Sequence, residues 1–471
     1  GQDILVDEFG TGAFSTFVVD GMSNKEISAL KAKIEDVDHV KTVLWYDSVA
    51  DISIPTDMLP EKMQKVFLSD EGTLMFIMYD TTMSADETME AVEQIRAISN
   101  EQCFLSGMSA VVTDIRDLSD KEVPVYVLLA VILSLVVLSL TMDSFLIPIF
   151  FLLSIGMAII YNLGTNVFMG EISYVTKALS AVLQLGVTMD YSIFLWHSYE
   201  NQKKIFAEDH KNAMAHAIAQ TVTSVVGSSV TTVAGFIALC FMSFTLGMDL
   251  GIVMAKGVVF GVIGCVTILP SMILIFDKPL EKTRHKAILP DIGKLSGFVT
   301  KRFPVFLLIF AVLLLPAIYG QKNAEVYYDL AGTLPEDLQS FMANQKLDEE
   351  FDMNSTHILL ADSHMKAKDA QAMLDRIDKV DGVKTAIGID SIVGPSVPKD
   401  MIPQSVREII EDDKYQMILI SSEYKTASDE VNTQIDEINK IVADYDENGM
   451  LIGEAPCTKD LITITDTDFK V

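Results

Sequence analysis

The sequence has little of what metal and redox sites are built from. Its four cysteines, Cys103, Cys240, Cys265 and Cys457, form no CxxC pair and show no ligand spacing. Cys240 and Cys265 lie in apolar runs, where a small buried side chain is the ordinary reading. A bridge between Cys103 and Cys457 is conceivable, but free thiols are the favoured reading. The Gly-rich stretch GVVFGVIG at 257–264 has no Walker lysine, so nothing supports energy from bound ATP. No Ser/His/Asp constellation and no metal cluster stands out, and the chain does not read as an enzyme. His197 and His210 fall at the edge of an apolar run, where solvated histidines are commonplace. Basic charge is scarce as well. The net charge of −30 argues against nucleic acid as a partner.

What is present is apolar sequence, concentrated in the middle. Residues 1–122 carry 24 acidic and 9 basic side chains, and residues 321–471 carry 31 and 14. Residues 123–320 carry only 10 and 12. Two acidic blocks therefore flank a nearly neutral apolar one. A membrane span needs about 20 largely apolar residues. Five candidates fill 123–276, at about 123–142, 144–164, 174–197, 218–244 and 249–276. A basic linker at 277–302 leads to a sixth at 303–320. Short loops after the third and fifth spans carry the lysines and arginines, including Lys203, Lys204, Lys211, Lys278, Lys282, Arg284 and Lys286. That places these loops in the cytoplasm and both acidic blocks outside, in a multi-pass protein of the cytoplasmic membrane. The stretch 200–216 reads as an interfacial helix.

The acidic blocks are copies. VDHVKTV at 37–43 matches VDGVKTA at 380–386, Asp47-Ser48 matches Asp390-Ser391, and PTDMLPE at 55–61 matches PKDMIPQ at 398–404, all at one offset. LVDEF at 5–9 matches LDEEF at 347–351. Gly107, Asp114 and Asp120 match Gly453, Asp460 and Asp466. Strands alternate with helices in each block. Strands are expected at 13–19, 40–46, 73–79 and 102–107, and helices at 23–36, 84–98 and 109–121. In the second block, strands are expected at 356–361 and 415–421, and helices at 366–379 and 427–443. The pattern suggests a split β-α-β, ferredoxin-type α+β domain at 1–122 and again at 321–471. The repeat also suggests that the sequence is a piece of a twelve-span protein made of two parallel halves.

One carboxylate interrupts the apolar block. Asp190 lies mid-span in QLGVTMDYSIFLW, beside Tyr191. A carboxylate there costs about 2.5–3.5 kcal/mol on insertion scales and must face protein or water. One use is proton carriage, with Tyr191 donating a hydrogen bond or relaying the proton. The alternative is a neutral or paired Asp that locks helix packing, with Lys256 as a candidate partner. Lys256 could equally pair with Asp249, and that is its favoured reading. The next span, TVTSVVGSSVTTVAGF at 221–236, carries Gly227, Thr231 and Gly235 at four-residue spacing, a face on which another helix can approach closely. Ser228 and Ser229 could hydrogen-bond a carboxylate on a neighbouring helix.

The G-x-x-x-D-Y pattern formed by Gly186, Asp190 and Tyr191, within duplicated halves, resembles the MMPL family of the resistance–nodulation–division transporters. LGMDLGIVMAKG at 246–257 and TILPSMILIFDK at 267–278 are similar to that family's later half-repeat elements. The resemblance implies an α-helical polytopic membrane protein with two duplicated extracytoplasmic porter-type domains. It implies export of lipids or other hydrophobic molecules driven by the proton gradient, with protons as coupling ion and no other cofactor. It also implies that Asp190 and Tyr191 meet a matching pair from a second half. A lipid-sensing or scaffold protein of the same fold that transports nothing is the alternative, and an accessory to protein secretion a weaker third. Substrate identity and homo-oligomer formation stay open.

Overall fold

In this computed structural model the described residues are 2–48, 51–170, 172–206, 209–285, 293–323, 332, 334–388, 407 and 409–468. The chain forms two compact units. One comprises Gly1–Leu118 with Tyr327–Asp466, the other Ser119–Val326 with Thr467–Val471.

The first unit begins with α1 (Gln2–Phe9), β1 (Ala13–Asp20), α2 (Asn24–Glu35), β2 (Val40–Leu44), α3 (Glu61–Phe67), β3 (Gly72–Tyr79), α4 (Asp86–Ile98) and β4 (Cys103–Ser106). Ser23 starts α2 through a capping box with Glu26, which satisfies two donors that would otherwise be unpaired. The sheet order is β2-β3-β1-β4, antiparallel throughout. β1 and β2 therefore run parallel with β3 between them, a split β-α-β arrangement. The apolar run TLMFIMY makes β3 the buried spine of this sheet.

The helical segment follows as α5 (Met108–Thr141), α6 (Ile147–Gly164), α7 (Tyr174–Phe206), α8 (His210–Ala238), α9 (Thr245–Ile275), α10 (Asp277–Lys282), α11 (Gly293–Lys301) and α12 (Phe303–Lys322). The second block then adds α13 (Gln339–Phe351), β5 (Ser355–Asp362), α14 (Ala367–Ile377), β6 (Val383–Ile387), β7 (Tyr415–Ser422), α15 (Asp429–Ala443), β8 (Met450–Gly453) and α16 (Glu454–Asp468). Its sheet order, β6-β7-β5-β8, repeats the first. Even the irregularity repeats. The pairing register shifts between Val40 and Thr42 in one sheet and between Val383 and Thr385 in the other.

The two blocks exchange their leading helices. Leu347 and Phe351 of α13 join the core formed by Phe17, Leu74 and Leu105 of the first sheet. Leu5 and Phe9 of α1 cluster with Ile358, Leu360 and Met417 of the second sheet. These are the residues of the LVDEF/LDEEF match. Asn344 of α13 accepts hydrogen bonds from Ser106 and from the Gly107 amide. Asp114 ties the exchange. Arg96 holds it at 2.6 and 3.1 Å, and the Ser340 amide donates to it at 2.9 Å.

Among the described residues six helices are long and apolar enough to cross a membrane: the stretches Met108–Thr141, Ile147–Met169, Tyr174–Phe206, His210–Phe241, Thr245–Ile275 and Phe303–Gln321. The boundary placed at 122/123 falls inside α5, which runs unbroken through Pro124. Among the described residues of 200–216, the expected interfacial helix is replaced by the end of α7, to Phe206, and the start of α8, from His210. Cys103 and Cys457 are free thiols. The matches at 390–391 and 398–404, and Lys286, lie outside the described residues.

Candidate functional site

α7 has two unlike faces. Thr176, Ser180, Gln184, Thr188 and Ser192 recur every four residues, so they stack on one side of the helix. All five are at most 1% exposed. Two of the hydroxyls are satisfied locally: Thr188 donates to the Gln184 carbonyl at 2.7 Å and Ser180 to the Lys177 carbonyl at 3.2 Å. Gln184 reaches further. It accepts from Asn162 Nδ2 at 2.9 Å and donates to the Gly257 carbonyl at 3.0 Å, joining α6, α7 and α9. The join requires glycine on α9. A Cβ at Gly257 would lie 2.7 Å from Asn162 Nδ2, and one at Gly261 2.4 Å from Thr188 Cγ2.

The other face is open. Leu183, Gly186, Asp190, Phe194 and His197 lie along it and are exposed. Asp190 stands midway along the 33-residue helix. Tyr191 turns inward, only 3% exposed, and its side chain interacts with Thr232 of α8. On α8 the exposed side carries Gly227, Ser228, Thr231 and Gly235. A Cβ added at Gly186, Gly227 or Gly235 would meet nothing within 4 Å. The small-residue face is therefore not packed against another helix among the described residues.

Other candidates are not brought to Asp190. Lys256 pairs with neither Asp190 nor Asp249; its ammonium donates to Asn166 and lies 3.7 Å from Met169 Sδ. Asp249 instead accepts from the Ser173 amide at 2.7 Å, capping the approach to α7. Ser229 Oγ donates to the Val226 carbonyl at 3.1 Å, and no carboxylate hydrogen bond is recorded for Ser228 or Ser229. Sequence reasoning missed Asn162, Asn166 and Gln184. Their signal was a four-residue polar spacing inside an apolar span.

The far end of α7 is clamped by charge. Asp143, between α5 and α6, accepts from Trp196 Nε1 at 3.0 Å and from Arg284 at 2.9 Å, and Arg284 also pairs with Glu200. Burial pushes the Asp143 carboxyl upward, but Arg284 and Trp196 together outweigh it and hold it below the usual carboxylate range. His210 is half-buried rather than freely solvated, with Nδ1 2.6 Å from Asp277. His210, Asp277 and Glu281 place metal-ligating atoms within 4.8 Å of one another. Lys203 already fills the cation position, 3.6 Å from Asp277 and 3.2 Å from Glu281.

Six described helices of this length and apolarity define a multi-pass membrane protein. The family model of the MMPL family matches residues 18–294, more than half of the chain, and the chain belongs to that family. Among curated proteins it is 26% identical over 309 residues to the putative membrane protein MJ1562 of Methanocaldococcus jannaschii, covering 59% of this chain and 76% of that one. It is 21% identical over 358 residues to the probable transport protein MmpL12 of Mycobacterium tuberculosis, covering 75% of this chain and 30% of that protein. It is 24% identical over 342 residues to the siderophore exporter MmpL5 of the same species, covering 68% and 35%. The chain thus spans only about a third of these mycobacterial relatives.

Proposed function

We propose that the chain is part of an exporter that moves lipids or other hydrophobic molecules across the cytoplasmic membrane, driven by the proton gradient. Both α+β blocks lie outside the cell in this reading. The observation that carries it is Asp190, a carboxylate midway along an apolar helix, on a face that no other described helix covers. Such a group costs about 2.5–3.5 kcal/mol in a bilayer unless protein or water receives it. The open face, with small residues beside it on α8, suits a second helical half carrying a matching acidic group, outside residues 1–471. Protonation of Asp190 removes a charge from that contact. Deprotonation restores it, so helix packing follows the proton. Tyr191 follows Asp190 in sequence but turns inward to Thr232 of α8, so donation to the carboxylate requires its side chain to swing in this reading. Kinship with proteins named as transporters and, in one case, a siderophore exporter supports hydrophobic cargo in general.

The test is Asp190→Asn in the complete gene, with accumulation of hydrophobic dyes and extracted lipids followed at matched expression. Export falls at least tenfold in this reading, and Asp190→Glu retains part of it. Undiminished export by the Asn variant would refute proton carriage by this residue.

A further inference from the structure

The end of α6, the turn that follows it and the start of α7 carry buried polar atoms with no hydrogen-bond partner among the described residues. These are Asn162 Oδ1, Asn166 Nδ2 and Thr176 Oγ1. Their residues are 0%, 5% and 0% exposed. Each such atom costs about 1–3 kcal/mol if it stays unpaired. Asn162 is bonded to Gln184, Thr176 stands on the same buried stripe of α7, and Asn166 holds Lys256; three unpaired atoms on these adjoining elements point to a ligand.

The atoms define its chemistry. Asn162 presents an acceptor, Asn166 a donor, and Thr176 a hydroxyl that serves as either. A metal cation is disfavoured, because the Lys256 ammonium already lies on Asn166. An anion would suit Lys256 but not the bare Asn162 oxygen. Water satisfies all three, since it both donates and accepts. Lys256 adds a second argument. Among the described residues no carboxylate forms an ion pair with it, although it lies 11 residues into α9. An ammonium at that depth, held only by an amide and a thioether, needs hydration.

We propose that the junction of α6, α7 and α9 around Lys256 is a water-binding pit that opens at the 165–170 turn and reaches down to Gln184. It hydrates Lys256 within the span, on the face of α7 turned away from Asp190. The proposal does not depend on transport.

Cysteine accessibility of the full chain in native membranes tests it. In a background with Cys103, Cys240, Cys265 and Cys457 replaced by serine or alanine, single variants Asn166→Cys, Thr176→Cys and Leu183→Cys are treated with a small charged thiosulfonate. Leu183 is 40% exposed on the opposite face of α7 and serves as the control outside the pit. We expect positions 166 and 176 to react at least tenfold faster than 183. Lys256→Met should slow the reaction at 176, and Lys256→Arg should restore it. Equal rates at 176 and 183, or no effect of Lys256→Met, would overturn the pit. Labelling yield in detergent-unfolded samples confirms that each thiol is present.

Discussion

The two units bury polar groups by different rules. The α+β unit takes charge and titratable groups inside. Arg96 and Asp114 are 15% and 8% exposed at the side chain, and His357 is fully buried on β5. Within its apolar stretch α7 buries neutral amides and hydroxyls, its charged Glu200 and Lys203 being held in ion pairs at the far end, while Asp190 stays on the exposed face. A paired ion in a water-bathed domain is a fixed brace. A carboxylate in a span is rare and costly, and it marks a site whose role is to be tested. The difference teaches where to look for moving charge, and it can be strained from either side. The two tryptophans help, since Trp45 lies in one unit and Trp196 in the other, so Trp→Phe backgrounds read each unit separately.

The largest effect should come from Arg96→Ala. It leaves the Asp114 carboxylate buried with only the Ser340 amide, at a cost of about 3–5 kcal/mol. Denaturant unfolding followed by Trp45 measures it. A cost below about 1 kcal/mol would show that the brace is idle.

His357 comes next. Burial holds its imidazole neutral, with the pKa pushed from 6.5 down to about 4, and Gln434 opposes this only weakly at 3.4 Å. The unfolded chain therefore takes up the proton first. Stability is complete above pH 6.5 and is lost as pH falls toward 4, by roughly 3 kcal/mol. His357→Gln should flatten that part of the stability profile relative to the parent. Identical slopes would place the acid sensitivity elsewhere.

Smaller effects are expected in the helical unit. Gly261→Val drives side-chain atoms into Thr188 and should cost about 1–3 kcal/mol, read from Trp196 melting in detergent. Gly186→Ala meets open space and should stay within about 0.5 kcal/mol. Equal losses would erase the distinction between the two faces of α7. Gln184→Leu breaks the join to Asn162 and Gly257 and should cost about 1 kcal/mol. Asp190→Asn should leave the melting of this unit unchanged, within about 0.5 kcal/mol. A larger shift would make Asp190 a structural group in this chain.

Much of the architecture was legible because hydropathy and period carry it. The run at 303–320 became Phe303–Lys322, and the strands at 13–19, 73–79 and 415–421 moved by at most a residue at each end. Helix ends were harder. α7 continues to Phe206 through Glu200 and Lys203, because a helix outlasts its apolar window when its end is held by ion pairs. The short helices α1, α3 and α13 escaped notice, since their apolar faces are narrow and their partners lie far along the chain. Asp190 was conspicuous as a residue. Its facing was not, because a single charge carries no period, whereas the stripe from Thr176 to Ser192 does.

The exchange of α1 and α13 has a consequence for biosynthesis. The first sheet is complete in sequence at Ser106, yet its covering helix begins at Gln339. At about 5–20 residues per second, the intervening stretch of roughly 230 residues takes about 10–50 s to translate. During that interval the face that will receive Leu347 and Phe351 is bare, while the spans are being threaded into the bilayer. The nascent protein thus presents an unfinished apolar surface for longer than a small domain needs to fold. The late arrival of α13 makes this a domain whose last piece is made after the membrane segment.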